Sequence, residues 1–213
     1  MKKASLIAVA ATVVLGGCAS AKMDYNPGVA SEIKSQLDVN EPFDIVWNRL
    51  VKSLSSDFFV INNIEKESRI INVSFSSDSP EKYVDCGTTS REFVNARGKQ
   101  VYTYKTAGSA RFTTIVPANG LAINVNRTTK LEGRANIYVA SSGKNSTTVS
   151  VNVKYVIPVS LDYIDLTGRP AGHQSVNFDL STKQPYRENS SDSDKVFCAS
   201  NGVLEGKILE YAK

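Results

Sequence analysis

Two stretches of alternating residues constrain the fold of this chain most strongly. In residues 131–139 the odd positions carry apolar or small side chains and the even positions carry mostly polar ones, and residues 149–157 repeat this pattern. Residues 141–145, Ser-Ser-Gly-Lys-Asn, lie between them and are typical of a turn. The period of two predicts an antiparallel hairpin, and the single apolar side predicts a sheet that is covered on only one face.

Amphipathic helices are predicted on both sides of these strands in the sequence. Pro42 favours a helix start, and the apolar residues after it recur at spacings of three and four: Phe43, Val46, Trp47, Leu50 and Leu54. A second helix is predicted over residues 200–211, with Leu204, Ile208 and Tyr211 on its inner side and Val203 as a further candidate.

Further strands are predicted over residues 58–64, 69–75, 121–125 and 175–180, while residues 101–104 form either a short strand or an aromatic patch on a loop. The order of elements predicts an α+β fold and a single domain over residues 41–213. In this fold, an N-terminal and a C-terminal helix pack on one face of an antiparallel sheet, as two layers.

The N-terminus carries the pattern of an export signal. Lys2 and Lys3 precede an uncharged, apolar run over residues 4–17, which is too short to span a bilayer as a stable helix. The run ends in Leu15-Gly16-Gly17-Cys18, which resembles the lipobox of bacterial lipoproteins. The resemblance implies that residues 1–17 are removed as a signal peptide and that Cys18 is acylated.

The resemblance also implies a location. In the enterobacterial lipoprotein system, aspartate directly after the acylated cysteine retains a protein at the inner membrane. Ala19 occupies this sorting position. The predicted location is therefore the outer membrane, with the domain facing the periplasm. The predicted attachment is a lipid anchor on Cys18, since two or more acyl chains anchor a protein stably.

Residues 18–40 are small and polar and contain the turn-like Asn26-Pro27-Gly28. We interpret them as the lipidated N-terminus and a solvated tether. The alternative is a recognition segment that folds on a partner, since Val29, Ile33 and Leu37 recur at a helical spacing of four.

Three cysteines are present. With Cys18 assigned to lipid, an exported chain retains Cys86 and Cys198, and an even remainder in an oxidising compartment predicts one disulfide between them.

Charge gives little support for nucleic acid as a partner. The chain has 25 Lys and Arg against 21 Asp and Glu, and removal of Lys2 and Lys3 leaves 23 basic residues, without a basic cluster.

Motifs for catalysis or cofactor binding are absent from the sequence. It contains no Gly-x-Ser-x-Gly, His-Glu-x-x-His, phosphate-binding loop or dinucleotide-binding glycine pattern. Asp162, Asp165 and Asp179 could form a carboxylate pair or a calcium site, but their spacing fits the wet faces and ends of strands. His173, the one histidine, is interpreted as a surface residue. We therefore expect no catalytic residue, no metal site, no cofactor and no enzymatic activity.

Two classes of function remain. The first is a non-enzymatic accessory or assembly component of an envelope complex, which acts through protein contacts. The second is a binding module for a small apolar or glycan ligand held between the sheet and the helices. The order of elements is similar to that of helix-grip folds and of BamC-like envelope lipoproteins. A filled helix–sheet layer favours the first class, and a cavity of several hundred Å³ there favours the second.

Overall fold

The computed structural model describes residues 19–188 and 196–213, so the predicted signal peptide (1–17) and Cys18 lie outside it. The described chain is an α+β fold dominated by antiparallel strands, with two α-helices. The elements, in chain order, are β1 (Ser20–Asn26), β2 (Gln36–Val39), α1 (Phe43–Ser55), β3 (Val60–Glu65), β4 (Ile70–Ser77), a 3₁₀ turn (Pro80–Lys82), β5 (Val84–Asp85), β6 (Thr88–Asn95), β7 (Gly98–Lys105), β8 (Ala110–Ile115), β9 (Ala122–Thr129), β10 (Leu131–Gly143), β11 (Ser146–Asp165), β12 (Pro170–Ser181), β13 (Tyr186–Arg187), β14 (Phe197–Ser200) and α2 (Val203–Glu210).

A long hairpin forms the centre of the fold. Only Lys130 separates β9 from β10, and both strands pair with β11, β10 near its beginning and β9 near its end. Ile137 pairs with Val151 and Ala135 with Val153, so the hairpin predicted from the alternating pattern is confirmed. The main sheet has the order β3-β4-β10-β11-β9-β8, and β2 and β12 pair with the other edge of β11.

Helix α1 packs on the inner face of this sheet. Pro42 directly precedes the helix, and its carbonyl accepts hydrogen bonds from the backbone N–H groups of Ile45 and Val46. The predicted apolar stripe is confirmed, since Val46, Trp47, Leu50 and Leu54 are buried in one cluster with the inner residues of β10 and β11.

Helix α2 is held to the same face by a buried polar cluster. Glu205 is fully buried and accepts hydrogen bonds from Tyr155 Oη (2.8 Å), Thr182 Oγ1 (2.8 Å) and Ser200 Oγ (3.1 Å). Burial and the neighbouring Glu205 carboxylate raise the pKa of Tyr155. A buried carboxylate is tolerated in the core because hydroxyl groups donate hydrogen bonds to its oxygens.

The second helix differs from its prediction at its start. It begins at Val203, after Gly202 with a positive φ of 77°, and not at residue 200. Residues 197–200 form strand β14, which pairs with β5. Leu204 and Ile208 are buried as expected, whereas Val203 faces solvent. Neither described helix is long and apolar enough to cross a membrane.

A second sheet, with the order β1-β6-β7, adds to the two predicted layers. This small sheet lies against strands β8 and β9 of the main sheet, where Tyr102 and Tyr104 pack on a small cluster of Phe112, Ile123 and Val125. The fold is therefore more sheet-rich than two helices on one sheet. Of the two alternatives for residues 101–104, the strand is the one observed.

The prediction of a solvated tether is wrong for residues 20–26 and 36–39, which are β1 and β2. Strand β1 pairs along its whole length with β6, from Ser20 with Val94 to Asn26 with Thr88. Tyr25 fixes the end of this strand, because its hydroxyl accepts a hydrogen bond from the Phe197 N–H (2.9 Å) and donates to the Cys86 carbonyl (3.1 Å). Val29 and Ile33 lie outside the helices and strands of the chain by itself, so folding of this segment on a partner stays a prediction.

The disulfide between Cys86 and Cys198 is present, as predicted. Both residues are buried, and the bridge lies beside the short ladder between β5 and β14. It therefore fastens the C-terminal part of the chain to the segment that links the two sheets.

Gly133 is required by close packing on the inner face of β10. A Cβ at this position would lie 2.0 Å from ring atoms of Phe75, its partner across the β4–β10 ladder. The Phe75 ring is buried and packs against Phe59 and Tyr155, so a shift of the ring would disturb these contacts. We expect Gly133→Ala to lower the free energy of unfolding by about 1–3 kcal/mol, as overpacking of a core does.

Urea denaturation followed by circular dichroism measures this loss, and Gly206→Ala is the matched control. A Cβ at Gly206 meets nothing within 4 Å, and the residue lies inside α2. Alanine should therefore stabilise the helix there by up to about 1 kcal/mol. Equal effects of the two substitutions would contradict this account of Gly133.

Candidate functional site

A cleft of about 580 Å³ lies between the small sheet and the part of the main sheet that contains β8 and β9. Strands β1, β6 and β7 form one wall, and β8, β9, β11 and β12 form the other. The odd-numbered residues of β9 are buried on the same side as the odd-numbered residues of β10, which lie under the helices. The cleft therefore lies beside the helix layer, on the same face of the long hairpin.

Two arginines give the cleft its charge. Arg91 on β6 donates from Nε to Tyr104 Oη (3.0 Å), and its guanidinium carbon lies 4.3 Å from the centre of the Phe112 ring. The rings of Tyr104 and Phe112 are stacked at 5.9 Å with an interplanar angle of 6°. This cation–π and hydrogen-bond contact fixes the Arg91 head at the wall of the cleft.

Arg127 on β9 is buried and donates to the backbone carbonyls of Thr106 and Gly108. Burial lowers the pKa of Arg127, and the charge of Arg91 lowers it further. Among the described residues, neither guanidinium forms an ion pair with a carboxylate. The two guanidinium groups outnumber the one carboxylate of the described lining, that of Glu188, and this excess makes the potential inside the cleft positive.

The remainder of the cleft lining is largely apolar. Val125 and Val159 are buried, and Leu161 and Phe178 line the same wall. Glu188 is the acidic residue of the described lining. A site of this kind can bind a molecule that combines an anionic group with an apolar body. The described lining does not supply a nucleophile paired with a base, as acyl-transfer chemistry requires.

The space between the helices and the main sheet is filled. Trp47 and Tyr155 are buried in the main core cluster, and Phe43 and Tyr211 pack against it. Phe43 contacts Trp47 with 5.5 Å between ring centres, and Tyr211 contacts Phe59 at 6.4 Å. The layer predicted to hold a ligand in the second functional class is thus occupied by side chains.

The opposite face of the main sheet is uncovered and polar. Asn136 in β10 pairs with Asn72 in β4 and with Asn152 in β11, and Asn63 in β3 pairs with Asn72. The four residues therefore form a row of amides across four strands. Arg134 and Lys154, also exposed and paired with each other in the ladder, lie beside this row. This face offers a broad surface of hydrogen-bonding groups for contact with another molecule.

The aspartates considered from the sequence are not brought together. Asp162 accepts a hydrogen bond from His173 (2.7 Å), its cross-strand partner, and Asp179 lies 3.9 Å from Lys154. Asp165 closes the β11–β12 turn, where hydrogen bonds from the Thr167 hydroxyl and the Arg169 N–H lower its pKa to about 2. Over residues 19–188 and 196–213, no three His, Cys, Asp or Glu residues are grouped as a metal site would need.

The sequence contains a signal for one of the two arginines of the cleft. Ile123 and Val125 continue with the same period to Arg127 and Thr129, so the alternation itself places Arg127 on the covered face. Arg91 has no such signal, because β6 is mostly polar and its position depends on pairing with β1 and β7.

Ala19, the predicted sorting residue, directly precedes β1. No protein-family model, no curated protein and no solved structure matches this chain. The interpretation of function therefore depends on the sequence and the geometry alone.

Proposed function

We propose that this chain is an outer-membrane lipoprotein that faces the periplasm and acts without catalysis. Residues 1–17 are removed as a signal peptide, and Cys18 carries the lipid that holds the domain at the membrane. The domain serves as an accessory or assembly component of an envelope complex, in contact with other envelope proteins.

The filled helix–sheet layer is the observation that favours the first functional class over the second. Because Trp47 and Tyr155 occupy that space, the sheet does not hold a ligand beneath its helices. The uncovered face with the row of asparagines remains available. Its polarity is compatible with a protein contact, because non-obligate interfaces are about as polar as the rest of a protein surface.

Crosslinking in intact cells tests this function. A photo-crosslinking amino acid at Asn136, in the centre of the uncovered face, is expected to capture an envelope protein in one discrete product. The same amino acid at Val203, which is exposed on α2, serves as the control. Absence of a discrete product at Asn136, or the same product at both positions, would contradict the assignment of this face.

Sorting is tested at Ala19. In an enterobacterial host, Ala19→Asp is expected to move the acylated protein from the outer-membrane to the inner-membrane fraction of a density gradient. Ala19→Ser is the control and should leave the distribution unchanged. An unaltered profile of Ala19→Asp would show that this position does not determine sorting in that host.

The cleft supports a second candidate function, the binding of a small molecule with an anionic group and an apolar body. Its volume and its two arginines favour such a ligand, and it lies between two sheets instead of beneath the helices. Anilinonaphthalene sulfonate, an anionic aromatic dye, is a suitable probe.

We expect Arg91→Gln to weaken binding of this dye about tenfold, because a hydrogen bond to a charged group contributes about 1.5–3 kcal/mol. Arg134→Gln removes a charge from the uncovered face and is the matched control. Fluorescence titration that gives the same affinity for both variants would exclude the cleft as the site.

A further inference from the structure

The first strand places the predicted lipid anchor at one particular end of the molecule. Ser20 pairs with Val94, and Val94 pairs with Lys99 across the β6–β7 hairpin. The tip of that hairpin, residues 96–97, therefore lies level with the start of β1. Cys18 is two residues before Ser20, so an extended chain separates the two by about 7 Å at most.

Two other turns lie at this same end. Strands β7 and β8 are joined by a short turn. Tyr104 stacks on Phe112, and Tyr102 Oη is hydrogen-bonded to Thr113 Oγ1 at 3.2 Å. The contacts advance along β8 as they go back along β7, so the two strands run in opposite directions. The turn after β8, residues 116–121, is therefore at the end where β7 begins. Residues 166–169, after β11, are beside it, because Ile123 pairs with both Thr114 and Asp165.

These three turns, residues 96–97, 116–121 and 166–169, are named the tip surface. They present two leucines to solvent, Leu121 with 63% and Leu166 with 65% of its surface exposed. Arg97 is exposed on the first turn and Arg169 on the third, where Arg169 is paired with Asp165. Exposed leucines at loop tips beside basic side chains combine the two interactions that hold a protein surface on phospholipid, apolar burial and attraction to anionic headgroups.

We propose that the tip surface docks on the phospholipid leaflet in which Cys18 is anchored, with Leu121 and Leu166 inserted among the acyl chains. This inference rests on the proposed acylation of Cys18. Because β1 begins at Ser20, the chain has no tether long enough to lift the domain away from the headgroups. The anchor and the three turns then hold the domain in one orientation, with the long hairpin extending from the membrane.

The orientation has a consequence for the proposed function. In this orientation the uncovered face of the main sheet, where the row of asparagines crosses the strands, does not face the membrane. That face is therefore presented sideways, where a neighbouring envelope protein can reach it.

Quenching by brominated phospholipids tests the docking. Acylated protein carrying Leu121→Trp or Leu166→Trp is reconstituted in vesicles of phosphatidylethanolamine and phosphatidylglycerol with brominated acyl chains. We expect each introduced tryptophan to lose most of its fluorescence relative to vesicles without bromine. Trp47 is buried in the core and gives the same unquenched background in every variant.

Val60→Trp is the matched control. Val60 is 62% exposed, close to the value for Leu121, but it lies on β3 at the far edge of the main sheet. It should not be quenched. Equal quenching at all three positions, or none at Leu121→Trp and Leu166→Trp, would overturn the docking. A dimer that forms as the protein concentration rises and shields Leu121 and Leu166 from solvent would assign the tip surface to a second copy of the chain. That result would also overturn the docking.

The intact mass of each sample, measured before reconstitution, separates the two proposals. A chain without acyl groups would overturn both the proposed function and the docking. Acylated protein that floats with the vesicles but shows no quenching would overturn the docking alone.

Discussion

Replacing Cys18 with serine is expected to abolish acylation and release the protein from its lipid anchor. Serine lacks the thiol that receives the diacylglyceryl group in the proposed acylation, so we expect the precursor to be left uncleaved or to be found as soluble periplasmic protein. Stable anchoring needs two or more acyl chains, and this variant has none. The effect is therefore a complete change of location, measured by labelled-palmitate incorporation and membrane fractionation.

A variant with Cys86→Ser and Cys198→Ser is the control for this experiment. It removes the two other cysteines of the chain and keeps Cys18. Any copies that survive proteolysis should still incorporate palmitate. A Cys18→Ser protein that remained acylated and bound to membranes would contradict the lipobox interpretation.

The second large effect is expected at the disulfide. Cys86 and Cys198 are 112 residues apart, and a bridge across a loop of this length contributes about 4–5 kcal/mol in the chain-entropy model. We expect Cys198→Ser to lower the free energy of unfolding by about 2–5 kcal/mol. Strand β14 forms only two-residue ladders, one with β5 and one with β13, so the bridge adds a covalent attachment to few backbone hydrogen bonds.

Helix α2, which follows β14, should lose its protection from hydrogen exchange first. Urea denaturation gives the total loss, and hydrogen exchange gives its location. The variant with Cys86→Ser and Cys198→Ser should show a loss similar to that of Cys198→Ser, because both lack the same bridge. Two thiols that titrate freely in native protein isolated from the periplasm would contradict the disulfide.

Those parts of the fold that are determined by local patterns could be predicted from the sequence. The period of two in β10 and β11 and the apolar stripe of α1 each depend on residues close together in the chain. The disulfide was also predictable, because the predicted export and the predicted lipid on Cys18 left one pairing, Cys86 with Cys198.

Pairings between distant and mostly polar segments were not predictable in this way. Strand β1 reads Ser-Ala-Lys-Met-Asp-Tyr-Asn, so it has only a short alternation through Ala21, Met23 and Tyr25, and its partner β6 lies more than 60 residues later. Strand β6 has no such alternation, so no local pattern indicates that the two strands pair. Their stability comes from the pairing itself and from contacts such as those of Tyr25 with Cys86 and Phe197.

The cleft was missed for the same reason. It forms where the small sheet meets the long hairpin, so its position follows from the pairing of β1, β6 and β7. Once that sheet is in place, the inward position of Arg127 follows from the period of β9, and the Arg91 head is fixed by Tyr104 and Phe112. Sequence patterns thus indicated which side of β9 is covered, but not what covers it.

The central claim is that Cys18 becomes the acylated N-terminus of the mature protein. Mass spectrometry of the N-terminal peptide, prepared from membranes without prior deacylation, tests it most directly. The account predicts a peptide that begins at Cys18 and carries a thioether-linked diacylglyceryl group together with an amide-linked acyl chain. A peptide that retains residues 1–17, or one in which Cys18 has a free thiol, would contradict it.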